Sequence, residues 1–313
     1  MSLINCSDEI KKIISQGLDL IVFDVDGVLI DTMPSFISTI VVTTKYYIND
    51  ILKISMDLSE LTEDDVMLFK KYSGFNNDWN LTESMIIFNL FVYKTERIDL
   101  SLKEFLDEVD GFGGGLDGIS LYLKKHCEDN VLAWISEKVE SRLIRKTFRE
   151  FYGGRDYCER LYGFTPDDYD GAGSVESEVI LLDTGILDRW EGKVGILTGR
   201  MENETMLAIE MINSEKINTE LVQFTDDILP DKPHPAKMER ILDISGSVSA
   251  LYVGDSIDDF LTAFNFNKLG RKNSLIFGLV TADSDSFPEE ARKFQADTVN
   301  DLLEYVIKNN KKS

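Results

Sequence analysis

The sequence predicts an α/β protein, in which a doubly wound, Rossmann-like parallel sheet carries a second, mostly α-helical domain as an insertion. Two observations predict this fold. A short apolar run lies near the start of the chain, and from residue 193 onward further runs alternate with segments of helical period. Between these parts lies a long stretch that is compatible with helices and contains few strand-like segments. With 313 residues, the chain is long enough for two domains.

The predicted strands are apolar at nearly every position, which is typical of strands buried on both faces of a parallel sheet. They cover residues 19–23, 193–197, 220–224, 250–253 and 274–280. Segments of helical period lie between and after them, at 202–213, 235–243, 257–265 and 300–308. Because strands and helices alternate, we expect crossover helices to cover the sheet.

The long central stretch has a different character. Its helix-compatible segments cover residues 34–56, 62–72, 81–94, 101–109, 116–126 and 130–150, and a glycine cluster interrupts them at 111–115. We therefore place an α/β core domain at residues 1–32 and 178–313, and a helical domain at residues 33–177.

The charge balance is strongly acidic. The chain has 33 Lys and Arg residues against 56 Asp and Glu residues, which gives a net charge of −23. Such a field repels nucleic acid and anionic membrane surfaces, so neither is an expected partner. It also repels phosphorylated substrates, so a phosphate site would need local positive charge from a metal ion, a lysine or helix N-termini.

The cysteines and the apolar segments bear on localisation. Cys6, Cys127 and Cys158 are widely spaced and form no CxxC arrangement, which suits a reducing cytoplasm. The apolar run at 85–93 is too short to span a bilayer, and residues 1–12 lack the apolar core of a signal peptide. We expect a cytoplasmic protein, and the sequence leaves its oligomeric state open.

The first predicted strand ends in FDVDGVLID, which places Asp24 and Asp26 just beyond its carboxyl end. Open α/β sheets bind ligands at this edge. Two carboxylates two residues apart can supply one nucleophile and one acid/base group, and Gly27 lets the chain bend away. An Asp-x-Asp-Gly turn also suits a calcium loop or plain turn chemistry, and the motif alone does not decide between these.

Two further motifs follow later strands. In GILTGR, the hydroxyl of Thr198 and the backbone at Gly199 could cradle phosphoryl oxygens ahead of a helix, although the same residues suit a helix cap. In DKPHP, two prolines fix the backbone around Lys232 and can aim its ammonium inward. A lysine in a loop is otherwise ordinarily a surface residue.

The fourth motif, LYVGDSIDDF, runs from an apolar strand into Asp255, and Asp258 and Asp259 follow within one helical turn. Carboxylate oxygens of this kind suit Mg²⁺, and an acidic helix start stabilised by the helix dipole is the plain alternative. Because His126 and His234 are the only histidines, a metal site built on histidines is not expected.

Taken together and in this order, FDVDGVLID, ILTGR, DKPHP and VGDSIDD resemble the four motifs of the haloacid dehalogenase superfamily. The joint match is far more specific than any single motif, and it covers the predicted α/β core. The helical insertion between the first two motifs resembles the cap of the subfamily that includes phosphoglycolate phosphatase and β-phosphoglucomutase.

The resemblance implies a role for each matching residue. Asp24 would be the nucleophile that forms an aspartyl-phosphate, and Asp26 would be the general acid and base. Thr198 would bind the transferring phosphoryl group, and Lys232 would neutralise charge on it and on the nucleophile. Asp24, the backbone carbonyl of Asp26 and Asp255 would hold Mg²⁺.

Two more core residues belong to the same motifs. Gly199 lies in the phosphate-binding segment. Asp259 matches the last motif position, which is either a supporting metal ligand or a residue that positions the ligands.

The resemblance therefore implies a Mg²⁺-dependent phosphatase that acts on a small phosphorylated metabolite. A carboxylate that attacks a phosphate dianion meets a repulsion of about 4 kcal/mol per close charge pair, which a divalent ion and Lys232 would offset. Val28 stands where many phosphatases of the superfamily have Thr, and the same form is found in β-phosphoglucomutases. A phosphosugar mutase is the alternative enzyme, and a non-enzymatic binding protein is the alternative of a different class.

In the helical insertion, two segments are candidates for contact with substrate. Residues 74–80 are rich in amide and carboxylate groups around Trp79, and residues 151–157 place Arg155 after two glycines. We select Asn77 and Arg155 as candidate substrate contacts. Turn chemistry explains the first segment equally well.

Overall fold

The computed structural model describes residues 4–75, 77–167, 169–282, 284 and 287–311. It divides into two compact units: a core unit of Met1–Thr32 with Val179–Ser313, and an inserted unit of Met33–Glu178. Among the helices in these ranges, none combines the length and the apolar character that crossing a bilayer requires.

All strands described lie in the core unit. They are β1 (Ile4–Cys6), β2 (Leu20–Phe23), β3 (Ile30–Asp31), β4 (Val179–Ile180), β5 (Lys193–Met201), β6 (Ile217–Thr225), β7 (Ser249–Gly254), β8 (Ser274–Val280) and β9 (Phe294–Ala296).

The α-helices alternate with these strands in the core unit and form most of the inserted unit. They are α1 (Asp8–Gln16), α2 (Ser38–Tyr46), α3 (Glu63–Lys70), α4 (Asp78–Thr95), α5 (Leu102–Asp110), α6 (Gly115–His126), α7 (Asp129–Lys138), α8 (Ser141–Tyr162), α9 (Thr184–Leu187), α10 (Glu202–Ile212), α11 (Ala236–Ser245), α12 (Ile257–Lys268) and α13 (Val299–Asn309).

The main sheet has the strand order β1-β9-β8-β7-β2-β5-β6. Every pair in it is parallel except β1 with β9. This mostly parallel sheet with flanking helices confirms the predicted fold class. The edge strand β1 was not predicted, because a three-residue segment is too short to show a periodic pattern.

The central strand β2 shows why the apolar runs become strands. Leu20 and Val22 pack into the cluster that α11 and α12 cover, whereas Ile21 and Phe23 pack into the cluster that α1, α10 and α13 cover. Successive side chains of a strand point to opposite faces, so a strand covered on both faces must be apolar at every position.

The short strands β3 and β4 pair antiparallel, with Ile30 opposite Ile180 and Asp31 opposite Val179. They are the points at which the chain leaves and re-enters the core unit. Two residues give no sequence pattern, so this ladder was not predicted.

The inserted unit is helical, as its sequence pattern indicates. Short π-helical segments at Met33–Ile37 and Tyr47–Ile51 flank α2. Aromatic side chains fill much of the interior: the ring centroids of Phe105 and Tyr122 lie 4.8 Å apart, and those of Phe36 and Tyr152 lie 4.3 Å apart.

The predicted helix over 130–150 is two helices in the structure, α7 and α8, and α8 continues to Tyr162 with a break at Gly154. Gly154 has φ +57°, and a Cβ there would lie 2.1 Å from the backbone nitrogen of Gly173. This close approach requires glycine, and it redirects the chain just before Arg155.

Candidate active site

The predicted motif residues meet at one edge of the main sheet. Asp24 follows β2, which lies between β5 and β7 with Phe23 opposite both Ile196 and Val253. Asp255 follows β7, and Thr198 lies in β5 just after its apolar run. Because these strands are parallel, their carboxyl ends share one edge, and residues distant in the sequence come together there.

Asp24 is anchored at the strand end and deeply buried. Its backbone nitrogen donates to the carbonyl of Val253 over 2.9 Å, and the residue is 5% exposed. The Nζ of Lys232 lies 3.0 Å from its Oδ1. The predicted nucleophile therefore sits in direct contact with the predicted charge-neutralising lysine.

Lys232 bridges two carboxylates, since its Nζ also lies 2.7 Å from Oδ1 of Asp259. Its side chain is 13% exposed, and the Lys232–Pro233 peptide bond is cis. Burial lowers the pKa of Lys232, but the charges of Asp24 and Asp259 raise it by more than burial lowers it. The net shift of the pKa is upward. The lysine is held as a cation at this site.

Asp259 has its donors inside the protein. Its Oδ1 accepts from Lys232 and from the hydroxyl of Tyr252, at 2.7 and 2.5 Å. Its Oδ2 accepts from the backbone nitrogen and from the hydroxyl of Ser256. Both hydrogen bonds belong to the cap at the start of α12. With 0% exposure and four donors, Asp259 is arranged to fix Lys232 and the loop after β7.

Tyr252 was not singled out from the sequence. It is 0% exposed and is the polar side chain within the apolar run of β7. Burial and the neighbouring Asp259 raise the pKa of Tyr252 well above its usual value, so the hydroxyl keeps its proton and donates it. The signal in the sequence is a tyrosine inside an otherwise apolar strand, because a buried hydroxyl needs a partner.

We expect Tyr252→Phe to lower the free energy of unfolding by about 1.5–3 kcal/mol, because it removes a buried hydrogen bond to a charged group. Urea unfolding followed by circular dichroism measures the change. Tyr305→Phe is the matched control, since the Tyr305 hydroxyl contacts the thiol of Cys6 rather than a carboxylate. Equal losses in the free energy of unfolding would contradict a larger contribution from the hydrogen bond between Tyr252 and Asp259.

Asp26 contacts Arg200, the last residue of ILTGR, which was not among the predicted site residues. The Nε of Arg200 donates to Oδ1 of Asp26 over 2.8 Å, and an Nη2–Oδ1 contact of 2.7 Å accompanies it. The side chain of Arg200 is 2% exposed, whereas that of Asp26 is 38% exposed. The predicted acid/base group is thus reachable from solvent on one side and held by a buried guanidinium.

Thr198 is 2% exposed, and its hydroxyl accepts from the backbone nitrogen of Arg200 over 3.2 Å. The helix that follows is capped later, where the Glu204 carboxylate accepts from the backbone nitrogen of Met201 over 3.0 Å. Thr198 is therefore not the helix cap. At Gly199, no described atom beyond the glycine and its two chain neighbours lies within 4 Å of where a Cβ would stand, so packing within the protein does not demand glycine.

The acidic residues form a cluster that can hold a cation. Ligand atoms of Asp24, Asp255 and Asp259 all lie within 4.8 Å of one another. Gly27 permits the approach, because a Cβ at this position would lie 1.9 Å from Oδ2 of Asp255. Three carboxylates against the one ammonium of Lys232 leave an excess of two negative charges when all are ionised. Oxygen donors with this excess charge fit a divalent cation such as Mg²⁺.

Burial and the nearby carboxylates affect the protonation of Asp24. Burial raises its pKa well above the usual range, Asp259 raises it further, and Lys232 only partly opposes them. Asp259 behaves oppositely: burial raises its pKa, but Lys232 and the donors Ser256 and Tyr252 lower it by more. Of the two carboxyl groups that contact Lys232, Asp259 therefore loses its proton more readily than Asp24. Added positive charge, such as that of a bound cation, would favour ionisation of Asp24.

The two candidate residues of the inserted unit have local partners. The side-chain oxygen of Asn77 accepts from the backbone nitrogen of Asn80 over 3.0 Å and caps α4, while its neighbour Asn76 lies outside the described residues. Arg155 is exposed and contacts Asp156 at 3.2 Å and Asp170 at 3.9 Å. Their contact with substrate stays a prediction.

Comparison with known proteins gives structural matches. No protein-family model and no curated protein sequence matches the chain. Phosphatase Tt82 from Thermococcus thioreducens is similar over 92% of this chain and 99% of its own, with 25% identity and a TM-score of 0.63. A candidate phosphoglycolate phosphatase from Lactobacillus delbrueckii subsp. bulgaricus aligns over 93% and 98%, with 16% identity and a TM-score of 0.53, which shows a shared fold.

Proposed function

We propose that this chain is a hydrolase of the haloacid dehalogenase superfamily, and specifically a Mg²⁺-dependent phosphatase that cleaves a small phosphorylated metabolite with Asp24 as its nucleophile. One observation carries the proposal: a buried carboxylate at the end of β2 lies 3.0 Å from Lys232 and within one acidic cluster with Asp255 and Asp259. The similarity to a phosphatase over nearly the whole chain supports it.

The proposed metal site uses residues that are already close together. Asp24, Asp255 and the backbone carbonyl of Asp26 would hold Mg²⁺, with Asp259 behind them as the residue that positions Lys232. When bound, the ion supplies positive charge that stabilises negative charge on the phosphoryl oxygens and on Asp24.

The residues then divide the reaction between them. A carboxylate oxygen of Asp24 attacks phosphorus, the ester P–O bond breaks, and Asp26 gives a proton to the leaving oxygen. Thr198 and the backbone at Gly199 bind the transferring phosphoryl group, and Lys232 offsets its charge. Water then attacks phosphorus, its proton returns to Asp26, and cleavage of the aspartyl-phosphate releases inorganic phosphate and Asp24.

The experiment that tests this proposal measures phosphate release from a panel of small phosphate esters, with Mg²⁺ or with EDTA. We expect release that requires Mg²⁺ and depends on the ester. Release that persists in EDTA would contradict the metal requirement, and no release from any ester would contradict the phosphatase. Slow turnover of a stable aspartyl-phosphate with formation of a sugar bisphosphate would favour the mutase instead.

Mg²⁺ should also stabilise the fold, because a ligand that binds only the folded protein adds about 2.7 kcal/mol at a hundred times its dissociation constant. Thermal unfolding with and without Mg²⁺ measures this shift. We expect Asp255→Asn to reduce it, since one ligand loses its charge. Asp243→Asn, an exposed carboxylate that pairs with Arg271, is the control that should keep the full shift. An unchanged shift in Asp255→Asn would place the metal elsewhere.

A further inference from the structure

The contact between Arg200 and Asp26 differs from an ordinary surface ion pair. The guanidinium is almost completely buried, and two of its nitrogens converge on the same oxygen, Oδ1, at 2.7 and 2.8 Å. A buried charge is costly unless it is paired and hydrogen-bonded, and the carboxylate of Asp26 provides such a pairing for the guanidinium. Oδ2 is left as the oxygen of Asp26 that can exchange a proton.

Hydrogen bonds fix the backbone at Arg200 and at the residue that follows it. It lies near the end of β5, where its nitrogen donates to the hydroxyl of Thr198 over 3.2 Å. The next residue, Met201, is fixed by the capping carboxylate of Glu204 at the start of α10. Arg200 therefore connects the segment proposed to bind phosphate with the residue proposed to transfer the proton, and its position is set by the core of the unit.

We propose that Arg200 is a positioning residue for proton transfer by Asp26. This inference rests on the proposed function, because it assumes that Asp26 is the general acid and base. Arg200 fixes one oxygen of Asp26, so the other is presented in one orientation, and it stabilises the carboxylate that remains after the proton has left.

The proton balance shows where Arg200 acts. While Asp24 forms its bond to phosphorus, the ester bond breaks and the leaving oxygen takes the proton from Oδ2 of Asp26. Asp26 becomes a carboxylate, which the guanidinium of Arg200 stabilises. In the second step Oδ2 takes a proton from the attacking water, so Asp26 is again ready to donate.

A positioning role makes a prediction that a structural role does not. An alkyl phosphate needs a proton on its strongly basic leaving oxygen, whereas p-nitrophenolate is a weak base and leaves without one. A defect in general acid catalysis therefore slows the alkyl ester far more than p-nitrophenyl phosphate. A defect in folding or in phosphate binding slows both esters alike.

The experiment compares kcat/KM for the best alkyl phosphate of the panel and for p-nitrophenyl phosphate in the full-length protein with Mg²⁺. We expect Arg200→Met to lower kcat/KM by about 100-fold for the alkyl ester and by less than about 10-fold for p-nitrophenyl phosphate. Asp26→Asn should give the same selectivity. The double variant should lose little more than Asp26→Asn alone, because the two residues act as one unit.

Arg200→Lys, which keeps the charge but cannot donate from two nitrogens to one oxygen, should give the same selectivity with a smaller loss, and it serves if Arg200→Met does not fold. Arg189→Met removes an exposed arginine that pairs with Glu304 and should leave both rates unchanged. Equal losses for both esters, or none, would overturn the role of Arg200. An inactive wild type would instead overturn the proposed phosphatase.

Discussion

Asp24→Asn is expected to lower phosphate release by about 10⁴-fold or more, because the amide cannot form the aspartyl-phosphate through which hydrolysis is proposed to run. The substitution keeps the size and shape of the side chain at a buried position. Activity against the best ester of the panel, measured with saturating Mg²⁺, gives the result. Residual activity above about one hundredth of the wild-type value would contradict nucleophilic catalysis by Asp24.

The control for this variant is its stability, which we expect to equal or exceed that of the wild type. Burial and Asp259 raise the pKa of Asp24 in the folded protein. A carboxyl group with a raised pKa stabilises the fold at low pH, and this stabilisation is lost as pH rises through its folded pKa. In EDTA, wild-type stability should therefore fall relative to Asp24→Asn from about pH 4 upward. Urea unfolding at several pH values measures this difference.

Lys232→Met is expected to lower the free energy of unfolding by about 3–5 kcal/mol at pH 7 in EDTA, because it leaves the buried carboxylates of Asp24 and Asp259 without their cation. The loss should shrink at lower pH. Without the ammonium both carboxyl groups have higher folded pKa values, so protonation favours the folded state. Activity should fall as well, since the phosphoryl charge loses its proposed counterion.

Lys237→Met is the matched control for Lys232→Met. Lys237 is also buried, and its Nζ contacts Asp231 at 2.6 Å and Asp226 at 3.4 Å, but these carboxylates are 48% and 23% exposed. Water can therefore solvate them once the lysine is gone, so we expect a smaller loss of stability and less change with pH. Equal losses in the two variants would show that burial of the carboxylates does not set the cost.

The inserted unit contains a feature that sequence patterns do not predict. The helical period predicts helices over most of Met33–Glu178, yet the break at Gly154 depends on its contact with Gly173, nineteen residues further along the chain. Sequence spacing cannot reveal a close approach of two distant backbones. The cap of α4 is a local contact by comparison, because the Asn77 side-chain oxygen accepts from the backbone nitrogen of Asn80 three residues along, and a substrate contact of Asn77 stays a prediction.

The α/β core, and part of the group of residues at its edge, follow from patterns in the sequence. Unbroken apolar runs require burial on both faces, and parallel strands bring the residues at their ends together, so Asp24, Thr198 and Asp255 could be predicted as neighbours. The motif resemblance added Lys232 and Asp259 to them. Which hydrogen-bond donor reaches which carboxylate depends on the packing of the folded protein. Tyr252 and Arg200 reach Asp259 and Asp26 through side chains whose direction follows from packing. A tyrosine in an apolar strand indicates a buried hydroxyl, but the identity of its partner and that of Arg200 has no local signature in the sequence.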